Sequence, residues 1–243
     1  MALLSHFIDI HSHIIPGIDD GPRNLEESGA LARCYVDEGI QTIIATPHFI
    51  AGTAWAAQAE QILEKLDELR TYLDKEHIHL RIHAGMEIAF IPNILDRFAK
   101  GRLLSLAGSN HYLLEPSFHD TQENLLHCAK KLLNTGKKII IAHAERITAF
   151  QENIEPLLHL VEQGLEVQVN MGSLLDEFDE QCKQTALTLL AAESVHYLAS
   201  DAHSARRRRP PTLSDWNDLE KIVGAETLTR LCITNPARLI PDH

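Results

Sequence analysis

Residues 8–22 read IDIHSHIIPGIDDGP. An apolar run stops at a His-x-His pair, His11 and His13, and a turn then delivers Asp19 and Asp20. Alternate residues of a strand share a face, so the two imidazoles point the same way. Nitrogen donors fixed at one strand end, with carboxylates close by, are the beginnings of a metal site. Later apolar runs end in the same residue types. IIATPHF carries His48, HAGMEIAF carries Glu87, YLLEPS carries Glu115 and IIIAHAER carries His143 and Arg146. VQVNMGS then carries Asn170, and YLASDAHS carries Asp201 and His203. Any one of these has an ordinary explanation, such as a satisfied buried imidazole or a helix cap. Their recurrence at six of seven run ends is different, because acids buried together without a cation repel one another.

The donors are imidazoles and carboxylates with no thiolate. That set argues against structural zinc and fits Mn²⁺, Fe²⁺ or catalytic Zn²⁺. Five histidines and three or four acids exceed the needs of one ion, which points to two or three ions sharing carboxylates. Glu87, midway in the strand order, is the expected bridge. Cations about 3.5–4 Å apart stabilise both the attacking and the leaving oxygen of a displacement. A guanidinium beside them binds phosphate as a bidentate fork. The chemistry expected from these residues is phosphoester hydrolysis. His77, His79, His83, His119, His127 and His159 lie before or within a strand, or in loops and helices, and His6 and His243 lie at or near the termini; none is assigned chemistry.

The elements that must position these groups follow from periodicity. Apolar, β-branched runs predict strands over 7–10, 41–45, 80–84, 112–114, 138–142, 166–169 and 195–199. Amphipathic stretches predict helices over 56–73, 123–133 and 180–192; in the first, Ile62, Leu66, Leu69 and Leu73 recur at spacings of three and four. Strand–helix alternation implies an α/β fold of parallel strands with crossover helices. No Gly-x-Gly-x-x-Gly or Walker loop follows any strand, so a barrel of about seven units is preferred to a Rossmann-like sheet. A barrel collects its functional groups at the C-terminal strand ends, where the candidates fall.

With 243 residues, 44% hydrophobic and 23% charged, the chain reads as one globular domain over 1–243. A net charge of −12 argues against nucleic acid as a partner, since phosphates need a basic surface. Cys34, Cys128, Cys182 and Cys232 are scattered without a Cys-x-x-Cys pair, so free thiols of a reducing compartment are expected. Neither a signal peptide nor a membrane span is recognisable, and a cytoplasmic location with no membrane insertion is expected.

In order along the chain, DIHSHIIPGIDDGP, TPH, GMEI, LLEPS, IAHAER and SDAHS followed by RRPP resemble the PHP (polymerase and histidinol phosphatase) superfamily. Within it they are most similar to the manganese-dependent protein-tyrosine phosphatases of bacterial capsule and exopolysaccharide gene clusters. The resemblance spans nearly the whole chain, and the HSHIIPGIDDGP turn is its most specific part. It implies a distorted seven-stranded, TIM-like β/α barrel and three metal ions. His11, His13, Asp20, His48, Glu87, Glu115, His143, Asp201 and His203 match its metal positions, Asp20 being preferred to Asp19 for its place directly before GP. Arg146 matches an arginine that holds the substrate phosphate, and Arg209 a second one. The implied partner is a phosphotyrosine-bearing protein, the tail of a bacterial tyrosine kinase that governs polysaccharide export. This chain departs from the pattern in having four arginines, 206–209, where one is usual. Arg209 is chosen for its proximity to Pro210, with Arg208 the rival, and the others are read as a solvated loop or an anionic docking patch.

Four other readings compete. A PHP phosphatase of a small phosphoester such as histidinol phosphate shares the ligand pattern, and a non-catalytic phosphotyrosine-binding module would share the metals. Amidohydrolases share the His-x-His strand end but want a lysine where this chain has Glu115. Residues 232–238, CITNPAR, have the Cys-x5-Arg spacing of cysteine-dependent phosphatases. That loop lacks glycine, loses an amide at Pro236, and has only five residues after Arg238 to form the required helix.

Overall fold

A computed structural model of the chain describes residues 6–90, 94–118 and 121–241. Among these described residues nine parallel strands form two sheets. They are β1 (Ile8–Ser12), β2 (Thr42–Ala45), β3 (His48–Phe49), β4 (Arg81–Ala84), β5 (Glu87–Ala89), β6 (His111–Glu115), β7 (Lys138–Ile141), β8 (Glu166–Asn170) and β9 (Tyr197–Ala199). One sheet is ordered β1-β2-β4 and the other β3-β5-β6-β7-β8-β9. The main helices are α1 (Leu25–Asp37), α2 (Ala59–Lys75), α3 (Ile94–Ala99), α4 (Gln122–Leu133), α5 (Thr148–Glu152), α6 (Glu155–Glu162), α7 (Met171–Leu174) and α8 (Glu180–Ala191) between strands, and α9 (Leu213–Val223) after the last one.

The expected α/β class with parallel strands holds. The expectation of one seven-stranded ring does not hold as a strand count, because the second and third predicted strands each break. The chain leaves the first sheet after Ala45 and enters the second at His48; it does the same between Ala84 and Glu87. Gly85 permits the second break. A Cβ there would lie 2.9 Å from Ile44 Cγ2 and 3.1 Å from the Ala45 carbonyl oxygen, so a side chain would crowd the neighbouring strand where the backbones pass. The result is an open, barrel-like arrangement. Beyond β9 the chain returns to β1 through His13 N–H to the Ala202 carbonyl (2.8 Å) and Asp201 N–H to the His11 carbonyl (2.9 Å).

Two apolar layers follow from strand alternation. In β7, Ile139 and Ile141 pack toward the helices, whereas Ile140 joins Ile10, Ile44, Leu113, Tyr197 and Leu239 inside the curve. β1 adds an irregularity. Its register to β2 slips between Asp9 and Ser12. Phe7 belongs to the helix-side core and Ile8 and Ile10 to the inner one, yet His11 also faces inward, toward Glu87 and Asp201. A bulge of this kind shifts the side-chain parity by one and re-aims the residues beyond it. It is how an apolar inner face turns into a His-x-His pair without leaving the strand.

Candidate metal centre

His11 and His13 lie at the end of β1, His48 in β3, Glu87 in β5 and Glu115 at the end of β6. His143 comes two residues after β7, while Asp201 and His203 follow β9. These are the C-terminal ends of the parallel strands, so the topology brings residues up to 192 positions apart to one face (His11 to His203). His143 (φ 31°) and Asp201 (φ 55°) sit in the left-handed region, where a side chain is strained and the surroundings must hold it.

The donor atoms converge. His11 Nε2 and His13 Nε2 are 3.2 Å apart. Each is 3.3 Å from Glu87 Oε2 and 3.4 Å from Asp201 Oδ1. His48 Nδ1 lies 2.9 Å from the same Glu87 oxygen and 3.4 Å from Glu115 Oε2. His143 Nε2 is 2.9 Å from Glu87 Oε1 and 3.6 Å from Glu115 Oε1. Asp20 Oδ1 completes the outer edge, 3.3 Å from His203 Nε2 and 3.5 Å from His48 Nε2. Three groups thus have metal-holding geometry: His13, Asp20, His48 and His203; His11, His13 and Asp201; and His48, Glu87 and Glu115. All nine sequence-predicted metal positions fall in this one cluster, His143 joining it through both glutamates.

Several buried atoms here have no aligned hydrogen bond: Glu87 Oε2, Asp201 Oδ1, His48 Nδ1 and His203 Nε2. Leaving such atoms unpaired is costly in a protein interior, and a cation removes the cost. The spacings fit that remedy. Donors about 2.1 Å from one ion lie roughly 3.0–3.4 Å apart in octahedral or tetrahedral arrangements. The imidazoles are also turned for ligation. His13 Nδ1–H donates to Asp19 Oδ2 (2.8 Å), His11 Nδ1–H to Gln168 Oε1 (3.1 Å) and His203 Nδ1–H to the Asp201 carbonyl (2.8 Å). Each leaves Nε2 facing the cluster. The donor set therefore fits divalent cations.

Electrostatics agree. Burial disfavours charge on Glu87 and on Asp201, yet the facing histidines, with Arg208 for Asp201, hold both carboxyls well below the usual range. Burial likewise opposes protonation of His48, but Glu87 and Glu115 outweigh it and raise its pKa to about 10. The acids demand positive charge, which protons supply only until a metal displaces them.

The two arginines part company. Arg146 Nη1 is 3.5 Å from Asp201 Oδ2, and its guanidinium lies between the rings of Phe118 (4.9 Å) and Phe178 (4.4 Å). Arg209, the sequence choice for the second phosphate contact, is not brought to the cluster. Its Nη1 donates to the Pro210 carbonyl (2.8 Å) and to Asp215 Oδ2 (2.7 Å), bracing the capped start of α9. Arg208 stands at the site instead: its backbone turns through φ 48° and its guanidinium bonds Asp201 Oδ2. Proximity to Pro210 was a poor guide because the left-handed residue reverses the chain one position earlier.

Sequence reasoning also passed over the supports. Gln168 Oε1 accepts from the His143 N–H (3.0 Å) as well as from His11, while its Nε2 donates to Asn170 Oδ1 (2.8 Å). Asn170 Nδ2 in turn donates to Asp201 Oδ2 (2.8 Å). A glutamine on the buried inner face of β8, between Val167 and Val169, was the available signal. Asp9, wholly buried, accepts from Tyr35 O–H (2.7 Å) and Ser200 N–H (3.1 Å), tying β1 to the segment that carries Asp201. His6, His127 and His159 are exposed and outside the cluster, and His119 and His243 lie outside the described residues. Cys232 is buried in a helical turn, with burial pushing its thiol well up, and its sulfur faces the Leu198 carbonyl rather than a phosphate-sized loop.

A groove of about 460 Å³ opens over the cluster, lined by Asp20, His48, Glu115, His143, Arg146 and Arg208. Its apolar rim includes Ile50, Trp55, Phe90 and Phe118. Trp55 lies parallel to the His48 ring, 5.4 Å away at 10°.

The comparisons with known proteins point the same way. The chain is 37% identical to the tyrosine-protein phosphatase YwqE of Bacillus subtilis over 90% of its length and 86% of the relative's. It is 30% identical to the tyrosine-protein phosphatase CpsB of Streptococcus pneumoniae over 97% of this chain and 99% of that one. A crystal structure from the work on YwqE and CpsB, described as unique metal-dependent tyrosine phosphatases, superposes with a TM-score of 0.84 at 36% identity, covering 96% of this chain and 90% of the other. The histidinol phosphate phosphatase of Lactococcus lactis shares the fold more loosely, with a TM-score of 0.57 at 13% identity over 90% and 92% of the two chains. The capsular polysaccharide synthesis profile CpsB/CapC matches residues 7–241, and this chain belongs to that family.

Proposed function

We propose that this chain is a metal-dependent phosphomonoester hydrolase that removes phosphate from phosphotyrosine in proteins. The observation that carries this reading is the single cluster of imidazoles and carboxylates, with unpaired buried donor atoms, beside two arginines at the floor of an open groove. Relatives at 37% and 30% identity that are tyrosine-protein phosphatases support the substrate class.

His11, His13, Asp20, His48, Glu87, Glu115, His143, Asp201 and His203 would hold two or three divalent ions, Mn²⁺ foremost, with Glu87 shared between them. Bound there, the ions supply Lewis acidity and lower the pKa of water to the neutral range. The protein's own groups do the rest. Arg146 and Arg208 converge on one edge of the groove and neutralise phosphoryl oxygens as the charge redistributes. Phe118 and Phe178 hold the Arg146 guanidinium flat, and Gln168 and Asn170 keep His11 and Asp201 in place. Ile50, Trp55, Phe90 and Phe118 offer an apolar wall to a phenyl ring. A phenolate leaving group, with a pKa near 10, needs little help from a proton donor. An open groove admits a polypeptide tail, which favours a protein substrate over histidinol phosphate. The finer expectations belong to the same reading: a bacterial tyrosine kinase that controls capsule export as substrate, a cytoplasmic setting, and one domain. A seven-stranded distorted barrel belongs to this reading as well, with β2 and β3, and β4 and β5, taken as interrupted strands. Among the described residues no helix is long and apolar enough to cross a membrane.

The test is release of phosphate from a phosphotyrosine peptide, with and without chelator, by wild type, His13→Ala, Arg146→Ala, Arg208→Ala and Arg209→Ala. His13→Ala should lose both turnover and metal. Arg146→Ala and Arg208→Ala should retain metal and lose about 10²–10³-fold in kcat/KM. Arg209→Ala should turn over normally. Turnover that survives complete metal removal would overturn the reading.

A further inference from the structure

A second groove, of about 750 Å³, runs beside the first and shares Asp20 and Arg208 with it. One wall is the loop 204–208 and the other the segment 22–27. Arg206 and Arg207 stand exposed on the loop. The arginines nearest to them in the two grooves and the loop are matched with acids: Arg23 with Glu27, Arg209 with Asp215, and Arg146 and Arg208 with Asp201. Among the described residues neither Arg206 nor Arg207 has an ion pair or a side-chain hydrogen bond; only their backbones are engaged. This occurs on a chain of net charge −12.

The loop is a built turn. Ser204 Oγ donates to the Arg207 carbonyl (2.7 Å) and accepts from the Arg207 N–H (3.0 Å), while His203 N–H donates to the Arg208 carbonyl (2.8 Å). The left-handed Arg208 carries its guanidinium inward to Asp201, and its two predecessors remain on the outer groove. One short turn thus presents a cation to the reaction centre and two more alongside it.

We propose that Arg206 and Arg207 form a second anion subsite that binds a carboxylate side chain of the substrate polypeptide close to the phosphotyrosine. The preference would be for phosphotyrosines set in acidic segments. The inference rests on the phosphotyrosine phosphatase reading and adds a specificity determinant to it. Consecutive Cα atoms are about 3.8 Å apart, so Arg206 lies within roughly 8 Å of Arg208 along the loop, the span of two or three extended residues. The guanidinium fork suits a carboxylate. A carboxylate is favoured over a second phosphate because Glu26 and Glu27 line the facing wall, with only Glu27 neutralised by Arg23. The charges of Arg206 and Arg207 less that of Glu26 leave about one positive charge there, which a single carboxylate balances and a phosphoryl group of nearly two charges overshoots.

The experiment compares wild type with the R206A/R207A double variant on four substrates. These are p-nitrophenyl phosphate and three phosphotyrosine peptides: one flanked on both sides by Glu, the same peptide with Gln, and one with a second phosphotyrosine in place of the acids. Wild type should favour the Glu peptide over the Gln peptide about 5-fold in kcat/KM at low salt, through KM, and lose the preference in high salt. The double variant should lose it at all salt concentrations while its turnover of p-nitrophenyl phosphate is unchanged. Equal handling of the Glu and Gln peptides by wild type, or a preference that survives in the variant, overturns the proposal. A stronger preference for the doubly phosphorylated peptide overturns the carboxylate assignment. Fluorescence anisotropy on labelled versions of the peptides reads the same order in Kd without turnover. If that order holds while no substrate is hydrolysed, the phosphatase reading fails and the anion subsite stands.

Discussion

The imidazole of His13 is held from behind by Asp19 and faces forward toward Glu87 and Asp201, so one aspartate of the DD pair orients a donor while the other, Asp20, sits on the groove edge. Asp19→Asn keeps the side chain's shape and removes its charge. It should weaken metal binding about 10–100-fold, read by competition with a chelator, while kcat at saturating metal stays near wild type. An unchanged affinity would mean that Asp19 does not orient His13. The same residues set a pH dependence. In the metal-free protein the His48 pKa rises from 6.5 to about 10, so its contribution to stability is complete below about pH 6.5 and is lost as pH rises through 10. Burial opposes charge on Asp20, yet His203 outweighs it and lowers the carboxyl from 3.8 to about 2, so Asp20 contributes above about pH 4 and loses that as pH falls through 2. Metal displaces the histidine protons, so its own binding tightens as pH rises. The gap in melting temperature between metal-loaded and chelated protein should therefore widen from pH 7 to 9, and a constant gap would contradict the assignment of His48 as a ligand. Most of the candidate donors were legible because they fall where apolar runs end. The choice of Arg208 over Arg209, the part of Gln168 and the role of Asp19 were not, since each depends on a backbone turn or a cross-strand neighbour.

Periodicity located the strands, because apolar alternation reports burial directly; it could not report that two of them change sheets. TPH and GMEI read as strand ends, and whether the chain re-enters a sheet after them is decided by close backbone approach at Gly85 and by pairing with distant strands. The slip between Asp9 and Ser12 was hidden for the same reason, since a bulge is a relation between two strands. Gly21 shows how narrowly the turn after β1 is defined. A Cβ there would stand 2.2 Å from the His13 carbonyl oxygen, so the chain carrying Asp19 and Asp20 runs directly against the strand that carries His13. Gly21→Ala must push this turn away. It should cost about 1–3 kcal/mol in denaturant unfolding, as overpacking does, and weaken metal binding by displacing Asp20. A variant equal to wild type in both measurements would show that the turn has room to move, and that the glycine is not what sets the position of the aspartates.

The candidate ligands come from both sheets: His11 and His13 from β1, and His48, Glu87 and Glu115 from β3, β5 and β6. Among the described residues the direct ladder partners of β1 lie within the first sheet, and beyond them its end meets the post-β9 segment through a few hydrogen bonds. The cluster therefore gathers buried carboxylates and imidazoles where the ends of the two sheets come together. Cations bound there would link the two sheets and would stabilise the folded chain by their binding free energy, because the unfolded chain has no such site. With free metal at about 100 times Kd the gain is about 2.7 kcal/mol per independent site. For a chain of this length that corresponds to roughly 5–11 °C in melting temperature. Calorimetry of loaded and chelated protein should show this shift in one cooperative transition, as expected of a single domain spanning both sheets. A profile that splits into two transitions, only one of them moved by metal, would mean that the sheets fold separately and that the ions do not bridge them. A single transition indifferent to metal would leave the buried carboxylates of Glu87 and Asp201 balanced by protonated histidines alone, and the centre would then have no claim to hold a cation.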